Sequence, residues 1–269
     1  MAFRSNGPVM LALPPFRGFT RWVILVAGGA YLVEVVLGFI VPRFAGTVAG
    51  LLMLQPALVA RGMVWEPVTY PLVGMGLLSV LFALVTVWFF GSRVEDDRGG
   101  RWFAEYFWTA TIGGGLLAVL LSFLLGRWVP GVGPLTALGA GGLWPASLAI
   151  LLAFARFHTE EEIRFNFIFR LKAKVLVSIY VGFYIFLALF SGDRFGALLA
   201  LCNALCGYGF LQLAPRQGLR FALSERWFEM RNARIRAKRK DAAKKFEVYM
   251  RKRGKDVRVE DEPTDKWMN

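Results

Sequence analysis

Histidine is almost missing from this chain of 269 residues, with His158 as its single example. Chemistry that needs a histidine base or a cluster of imidazole ligands has one side chain to use or none. Cysteine is nearly as scarce. Cys202 and Cys206 lie one helical turn apart, and such a pair holds its Cα atoms ~6 Å apart while aiming both Cβ atoms the same way. That geometry suits a disulfide poorly, so the two read as small apolar core residues. Acidic residues number 19 against 32 lysines and arginines, a formal net charge of +13. Charge is also absent from the middle of every long apolar run except the first, where Glu34 stands. A removable signal peptide is not expected, because the first apolar run starts near residue 21 and lacks a small-residue cleavage site.

What remains is apolar. Hydrophobic residues make up 56% of the chain and the mean hydropathy is +0.49, too high for a soluble domain of this size. Six runs carry it, at about residues 21–42, 67–90, 104–126, 130–155, 175–192 and 195–215. A hydrocarbon core ~30 Å thick takes about 20 helical residues to cross. All but the 175–192 run reach that length, and Leu171 to Lys174 can extend that one through snorkelling lysine stems. None alternates in polarity as a barrel strand would, so all read as helices. The expected fold is all-α, a polytopic membrane protein with six transmembrane helices.

Arg43, Arg61, Arg127 and Arg194 are the basic residues of the segments that would face outward, which leaves 28 of the 32 on the other side. The positive-inside rule then places both termini in the cytoplasm. The expected setting is an integral, multi-pass one, with the bacterial inner (plasma) membrane as host. A transporter or channel is disfavoured, since inverted repeats and charged crossings are missing.

Three parts follow. Residues 1–20 form a cytoplasmic lead ending on Pro14-Pro15, residues 21–215 the membrane domain, and residues 216–269 a basic cytoplasmic tail. The outer segment 43–66 is apolar but interrupted by Gly46, Gly50 and Pro56, so it is expected to lie in the interface with Trp65 as its headgroup anchor. GSRVEDDRGGR (91–101) reads as a compact charged loop. The segment 158–174, with Glu160 to Glu162 beside Arg164, Arg170, Lys172 and Lys174, reads as an exposed amphipathic linker. The tail holds 17 Lys/Arg against nine Asp/Glu. It reads as a helix from Arg216 to about Gly254 with Leu219, Leu223, Trp227 and Met230 on one face. Anionic lipid headgroups, worth ~1 kcal/mol per basic residue held near the surface, are its first candidate partner. A partner protein comes second, and nucleic acid third, because no recognised motif accompanies the charge.

In LQPALVARGMVWEPVTYPLV (54–73), Trp65 and Thr69 flank Glu66. SVLFALVTVWFFGSRVED (79–96) ends a helix on Phe-Gly-Ser…Glu, and GPLTALGAGGLWPASLAILLAF (133–154) opens another on a glycine-rich turn. In order, spacing and topology, these stretches resemble the rhomboid family of intramembrane serine proteases and its derlin and inactive-rhomboid branches. The resemblance covers about residues 50–213 and implies a six-helix rhomboid-like bundle. It also implies a first-loop Trp-Arg pair, of which the arginine position is Glu66 here.

The chemistry implied by the resemblance does not carry over. Active relatives attack a peptide bond with a serine at the top of the fourth helix and a histidine base on the sixth. A serine hydroxyl is unreactive without such a base. Here Gly141 stands at the serine position, within Gly139-Ala140-Gly141-Gly142, and Asn203 is the best match to the base, with registers at Ala204 or Ala200 also open. None of these accepts a proton at working pH. The oxyanion-stabilising His and Asn of the second helix correspond to Ser79 and Ala83, and losing one such donor already costs ~10²-fold in rate. His158 lies ~25 Å along the fourth helix from Gly141. Ser147 sits on a different face and depth, and Ser122 and Ser178 have no identifiable base.

The resemblance therefore implies a membrane pseudoprotease that binds or guides client proteins without cleaving them. The alternative is a serine-type peptidase of the same family using a non-standard site. Gly141, Asn203, Ser79 and Trp65 are the candidate groove residues, and a transmembrane client and the bilayer are the expected partners. No cofactor and no metal is expected. Glu34 costs at least ~2.5 kcal/mol if it sits at the helix centre. It is either a polar contact in a client groove or a carboxyl bonded to a neighbour near the outer surface. Gly113-Gly114-Gly115 and Gly139, Gly141 and Gly142 offer small-residue surfaces for tight packing or for a cleft that admits another helix.

Overall fold

Prolines and glycines decide where the long helices begin. The computed structural model describes residues 14–74, 76–128, 135–158, 162–165, 169–213 and 219–252. Expectations placed on residues 1–13, on the stretch 129–134, on Glu160 and Glu161, and on the tail beyond Lys252 lie outside these residues. Helix α1 (Gly18–Ile40) gives way at Pro42 to α2 (Pro42–Leu52), where a first-turn proline forfeits no hydrogen bond. Ala45 of α2 is buried while Phe44 and Leu51 are exposed. Two single-turn helices follow, α3 (Pro56–Val59) and α4 (Glu66–Thr69), then a 3-10 turn over Tyr70–Leu72.

The second long helix starts later than the apolar run does. Pro67 and Pro71 cannot donate to a helical ladder, and Gly76 takes φ +97°, so α5 (Leu77–Thr86) begins only at Leu77. At its far end the charged loop expected over 91–101 is helical instead. A π turn, Val87–Gly91, carries the chain into α6 (Ser92–Arg98), and Gly99 at φ +88° stops it. Helix α7 (Gly100–Trp128) follows directly.

The fourth expected crossing is a short helix, α8 (Trp144–Phe157), whose 14 residues cover ~21 Å. Ahead of it lies a 3-10 turn, Leu135–Ala137, and then non-helical backbone. Ala140 exchanges both backbone hydrogen bonds with Leu54 (2.9 and 3.0 Å), and the Gly142 N–H donates to the Tyr70 carbonyl (2.7 Å). Irregular backbone among apolar helices is tolerated only where protein satisfies it. Nearly every residue of α8 from Pro145 to Ala155 is buried, packed among α5, α9 (Ala173–Phe190) and α10 (Arg194–Leu213). Helix α10 also packs along α7.

Among the described residues, four helical stretches are long and apolar enough to cross a bilayer: Gly18–Ile40, Leu77–Arg98, Gly100–Gly126 and Arg194–Leu213. Trp144–Phe157 and Lys174–Phe190 are shorter apolar helices. The chain is a polytopic helical membrane protein whose exposed apolar residues, such as Phe39, Leu78 and Phe190, contact lipid.

One segment departs from the all-α expectation. Strands β1 (Glu162–Phe165) and β2 (Phe169–Lys172) pair antiparallel, with Glu162 opposite Lys172 and Phe165 opposite Phe169. Ile163, Phe165, Phe169 and Leu171 alternate with Arg164, Arg170 and Lys172, a period of two that suits a ribbon and not a helix.

The chain divides into two compact units, Met1–Leu219 and Arg220–Asn269. In the second, helix α11 (Leu219–Lys252) runs 34 residues, or ~51 Å. Trp227 is half exposed with the Arg231 guanidinium over its ring. The side chains of Leu219, Leu223 and Met230 lie outside the described ones.

A buried carboxylate closes the α1 end of the first unit. Glu95 of α6 accepts the backbone N–H groups of Phe19 (2.6 Å) and Thr20 (2.8 Å) and the Thr20 hydroxyl (2.6 Å). It thereby serves orphan donors in the first turn of α1, where the helix dipole favours negative charge. Glycine lets it approach: an added Cβ at Gly18 or Gly100 would collide with the carboxyl. The neighbouring Arg17–Asp96 pair (3.0 Å) is exposed. Replacing Glu95 by alanine is expected to cost about 2–3 kcal/mol, and Asp96→Ala less than about 1 kcal/mol. Denaturation midpoints of the detergent-solubilised protein measure the difference.

Candidate functional site

A cavity of about 270 Å³ opens at the head of α8. Its walls are Ser79 of α5, Ala140 and Gly141 of the irregular strand, Trp144 and Pro145 at the start of α8, Tyr184 and Leu187 of α9, and the first turn of α10. The Leu54–Ala140 pairing fixes Gly141 at the rim, and Gly142 at φ +88° turns the chain into the helix. The Tyr184 hydroxyl donates to the Trp144 carbonyl (3.4 Å), joining α9 to α8. Asp193 caps α10 by accepting the Gly196 N–H (3.0 Å), and its carboxyl also lines the cavity. Asp193 was not among the candidates, although an Asp directly before an apolar helix is an N-cap signal.

Ser79 and Gly141, predicted as groove residues, share this cavity. Asn203, the third, does not line it. It is fully buried on the other side of α10, where its Nδ2 donates to the Tyr70 hydroxyl (3.0 Å) and Tyr70 donates on to the Thr111 carbonyl (3.3 Å). Its Oδ1 packs against Gly114 of α7, where an added Cβ would collide with it. Asn203 is a core group between α10 and α7. Ala197, Ala200 and Ala204 share the face packed with Leu148 and Tyr184. Asn203 lies about 100° round the helix from Ala204, so the registers at Ala200 and Ala204 fall on the α8 side.

The remaining candidates are scattered. Trp65 is half exposed, and its indole N–H donates to the Leu51 carbonyl (3.1 Å), which ties α4 to α2. Ala83 is buried and does not reach the cavity. Glu34 accepts the Gly74 N–H (2.7 Å) and lines a separate cavity. Gly113, Gly114 and Gly115 are packing surfaces, in contact range of Cys206, Asn203 and Tyr70 respectively. Cys202 and Cys206 are free thiols, the former in the core.

The serines and the histidine do not assemble a reactive centre among the described residues. Ser122, Ser147 and Ser178 each donate to a carbonyl of their own helix. His158 follows the last turn of α8, stacked on Phe154, with Nε2 3.1 Å from Asp97 Oδ2. What the cavity offers is shape: glycine, alanine and aromatic walls, with Ser79, Tyr184 and Asp193 as its polar residues.

Beside this site, Glu66 holds the outer segment together. Its Oε2 accepts the Gln55 N–H (2.7 Å) while Oε1 is buried without a partner. Burial pushes its carboxyl above the usual carboxylate range, and the Gln55 N–H opposes the shift in part. The folded state thus favours the neutral acid. Stability from this group is complete below the unfolded carboxylate pKa and is lost as pH rises through the raised value.

Thermal midpoints of the solubilised protein are accordingly expected to fall as pH rises above the ordinary carboxylate range, with a flatter profile for Glu66→Gln. Gly114→Ala forces a methyl into Asn203, and is expected to cost about 1–3 kcal/mol in the same assay.

No curated protein matches this chain significantly. A family model described as eukaryotic integral membrane protein (DUF1751) matches residues 23–250. That eukaryotic description replaces the bacterial inner membrane expected as host. The match spans all the membrane helices and most of α11, and the chain belongs to the DUF1751 family of eukaryotic integral membrane proteins.

Proposed function

We propose that this protein is a rhomboid-like pseudoprotease that crosses the membrane six times and binds or guides other membrane proteins without cleaving them. The observation that carries this reading is the cavity at the head of α8, where Gly141 and Ser79 meet at the positions that hold nucleophile and oxyanion partner in active rhomboids. Small residues there, Ala140, Gly141, Gly196 and Ala197, allow close approach of a second helix backbone. The short α8, supported by irregular backbone at its head, accords with the same family resemblance. Lys and Arg counts support cytoplasmic termini. In this scheme residues 1–20 are a lead, 21–215 the membrane domain and 216–269 a tail on anionic headgroups or a partner protein. Derlins and inactive rhomboids are the relatives whose mode of action this reading adopts.

The competing reading is a hydrolase built on the polar groups of the same cavity, Ser79 and Asp193. Asp193 is already engaged as the cap of α10, which favours binding over catalysis.

A photoreactive amino acid at Leu187, in the protein expressed in its native membrane, tests the two. The expected result is reproducible capture of a single-pass membrane protein at its intact mass, lost when Ser79→Trp fills the cavity. A serine-reactive phosphonate is expected to leave the protein unlabelled. Specific labelling, or cleavage of the captured client that stops with Ser79→Ala, overturns the reading in favour of a hydrolase.

A further inference from the structure

A second cavity, of about 220 Å³, lies between α1 and α2 with Leu72 and Val73 as its floor. Its wall is apolar apart from one carboxyl, that of Glu34. The Gly74 N–H holds Oε2 of that carboxyl at 2.7 Å, and the second oxygen has no hydrogen bond among the described residues. Gly74 is sterically locked in this role, since an added Cβ would collide with Tyr31. A carboxyl in apolar surroundings with half its acceptor capacity unserved is costly. A ligand that donates one hydrogen bond would serve it.

Depth and shape narrow the class. Glu34 lies six residues before the end of α1 at Ile40, ~9 Å along the axis. If the end of α1 marks the membrane surface, that depth is below the headgroup layer, within reach of a hydroxyl at the top of the acyl region and out of reach of a phospholipid's headgroup amine. Five of the wall residues are Ala30, Ala45 and Ala49 and the β-branched Val33 and Val48, with Leu37 and Leu52 beside them. Such side chains make a smooth surface that loses little rotamer freedom on contact, and it suits a rigid ring better than flexible chains. Val33 is 58% exposed, so the cavity is open toward lipid. The family is eukaryotic, and eukaryotic membranes supply a rigid, hydroxyl-bearing lipid.

We propose that this cavity binds a membrane sterol, with the ring system against the alanine and valine faces of α1 and α2 and the sterol hydroxyl donating to Glu34. The site is separate from the cavity at the head of α8, and the sterol's tail remains among the acyl chains.

The test is photolabelling of the full-length protein in nanodiscs with a diazirine sterol, followed by peptide mapping. The expected adduct lies on α1 or α2 and is displaced by unlabelled cholesterol. The 3-keto analogue, which cannot donate, is expected to compete about tenfold more weakly, as befits loss of one hydrogen bond to a carboxylate. Ala49→Trp, which fills the cavity, is expected to abolish the adduct while leaving the labelling of other surfaces unchanged. Equal competition by the keto analogue, displacement by phosphatidylcholine at the same concentration, undiminished labelling of Ala49→Trp, or no adduct on either helix would overturn the proposal. The keto comparison uses the unaltered chain and so stands even if the tryptophan variant does not fold.

Discussion

Every backbone N–H and C=O inside a bilayer must find a partner within the protein, and this requirement explains the least regular part of the molecule. Ahead of α8 the chain runs without helix through Ala140 and Gly141, and the stretch between α2 and α5 supplies the missing partners. Leu54 pairs with Ala140 and Tyr70 accepts from Gly142. The outer segment is therefore a structural wall as much as a connection. It carries Glu66 beneath Trp65, and the Glu66 carboxyl turns inward to hold Gln55 next to Leu54. Because these bonds serve the backbone ahead of α8, a buried 14-residue helix can stand in the bundle with its head supported. The cavity above it follows from the same arrangement.

Much of the architecture was legible in the chain. Apolar runs long enough for a bilayer correspond to four long helices and two shorter ones, and the basic tail is helical over most of its length. The errors have local causes. The second run was read as helical from residue 67 because length and hydropathy do not register that Pro67 and Pro71 lack a donor. The charged exit of that run looked like a loop because polarity outweighed the helical propensity of Ser92 to Arg98. The linker after α8 hides its two-residue period behind a high charge density, and only the register of Glu162 to Lys172 makes it plain.

Candidate-site residues were legible to different degrees for a geometric reason. Ser79 and Gly141 were placed by continuous stretches of resemblance, 79–96 and 133–154, and they share a cavity. Asn203 was placed by sliding along a helix of small residues, where each step of one residue turns the side chain by about 100°. Its contacts with Tyr70 and Gly114 put it on the face of α10 toward α7. Asp193 escaped notice because a helix cap has no chemistry of its own until the fold sets it beside Ser79. The space at the head of α8 is walled by small and aromatic side chains, while polar groups such as Asn203 and Glu66 are turned into the core or onto backbone donors.

The π turn over Val87–Gly91 has a further consequence for the second span. Ala83, Val87, Gly91 and Glu95 are spaced by four and all are buried. In a uniform α-helix each such step drifts by about 40°, so the last would point about 120° away from the first. A wider turn with close to four and a half residues absorbs most of that drift. It brings the anchoring carboxylate closer to the phase of Ala83, one turn before the bulge. Tightening this stretch into regular helix would rotate Glu95 away from the amino end of α1 and toward the acyl chains, and the hinge between the first two spans would lose its pin.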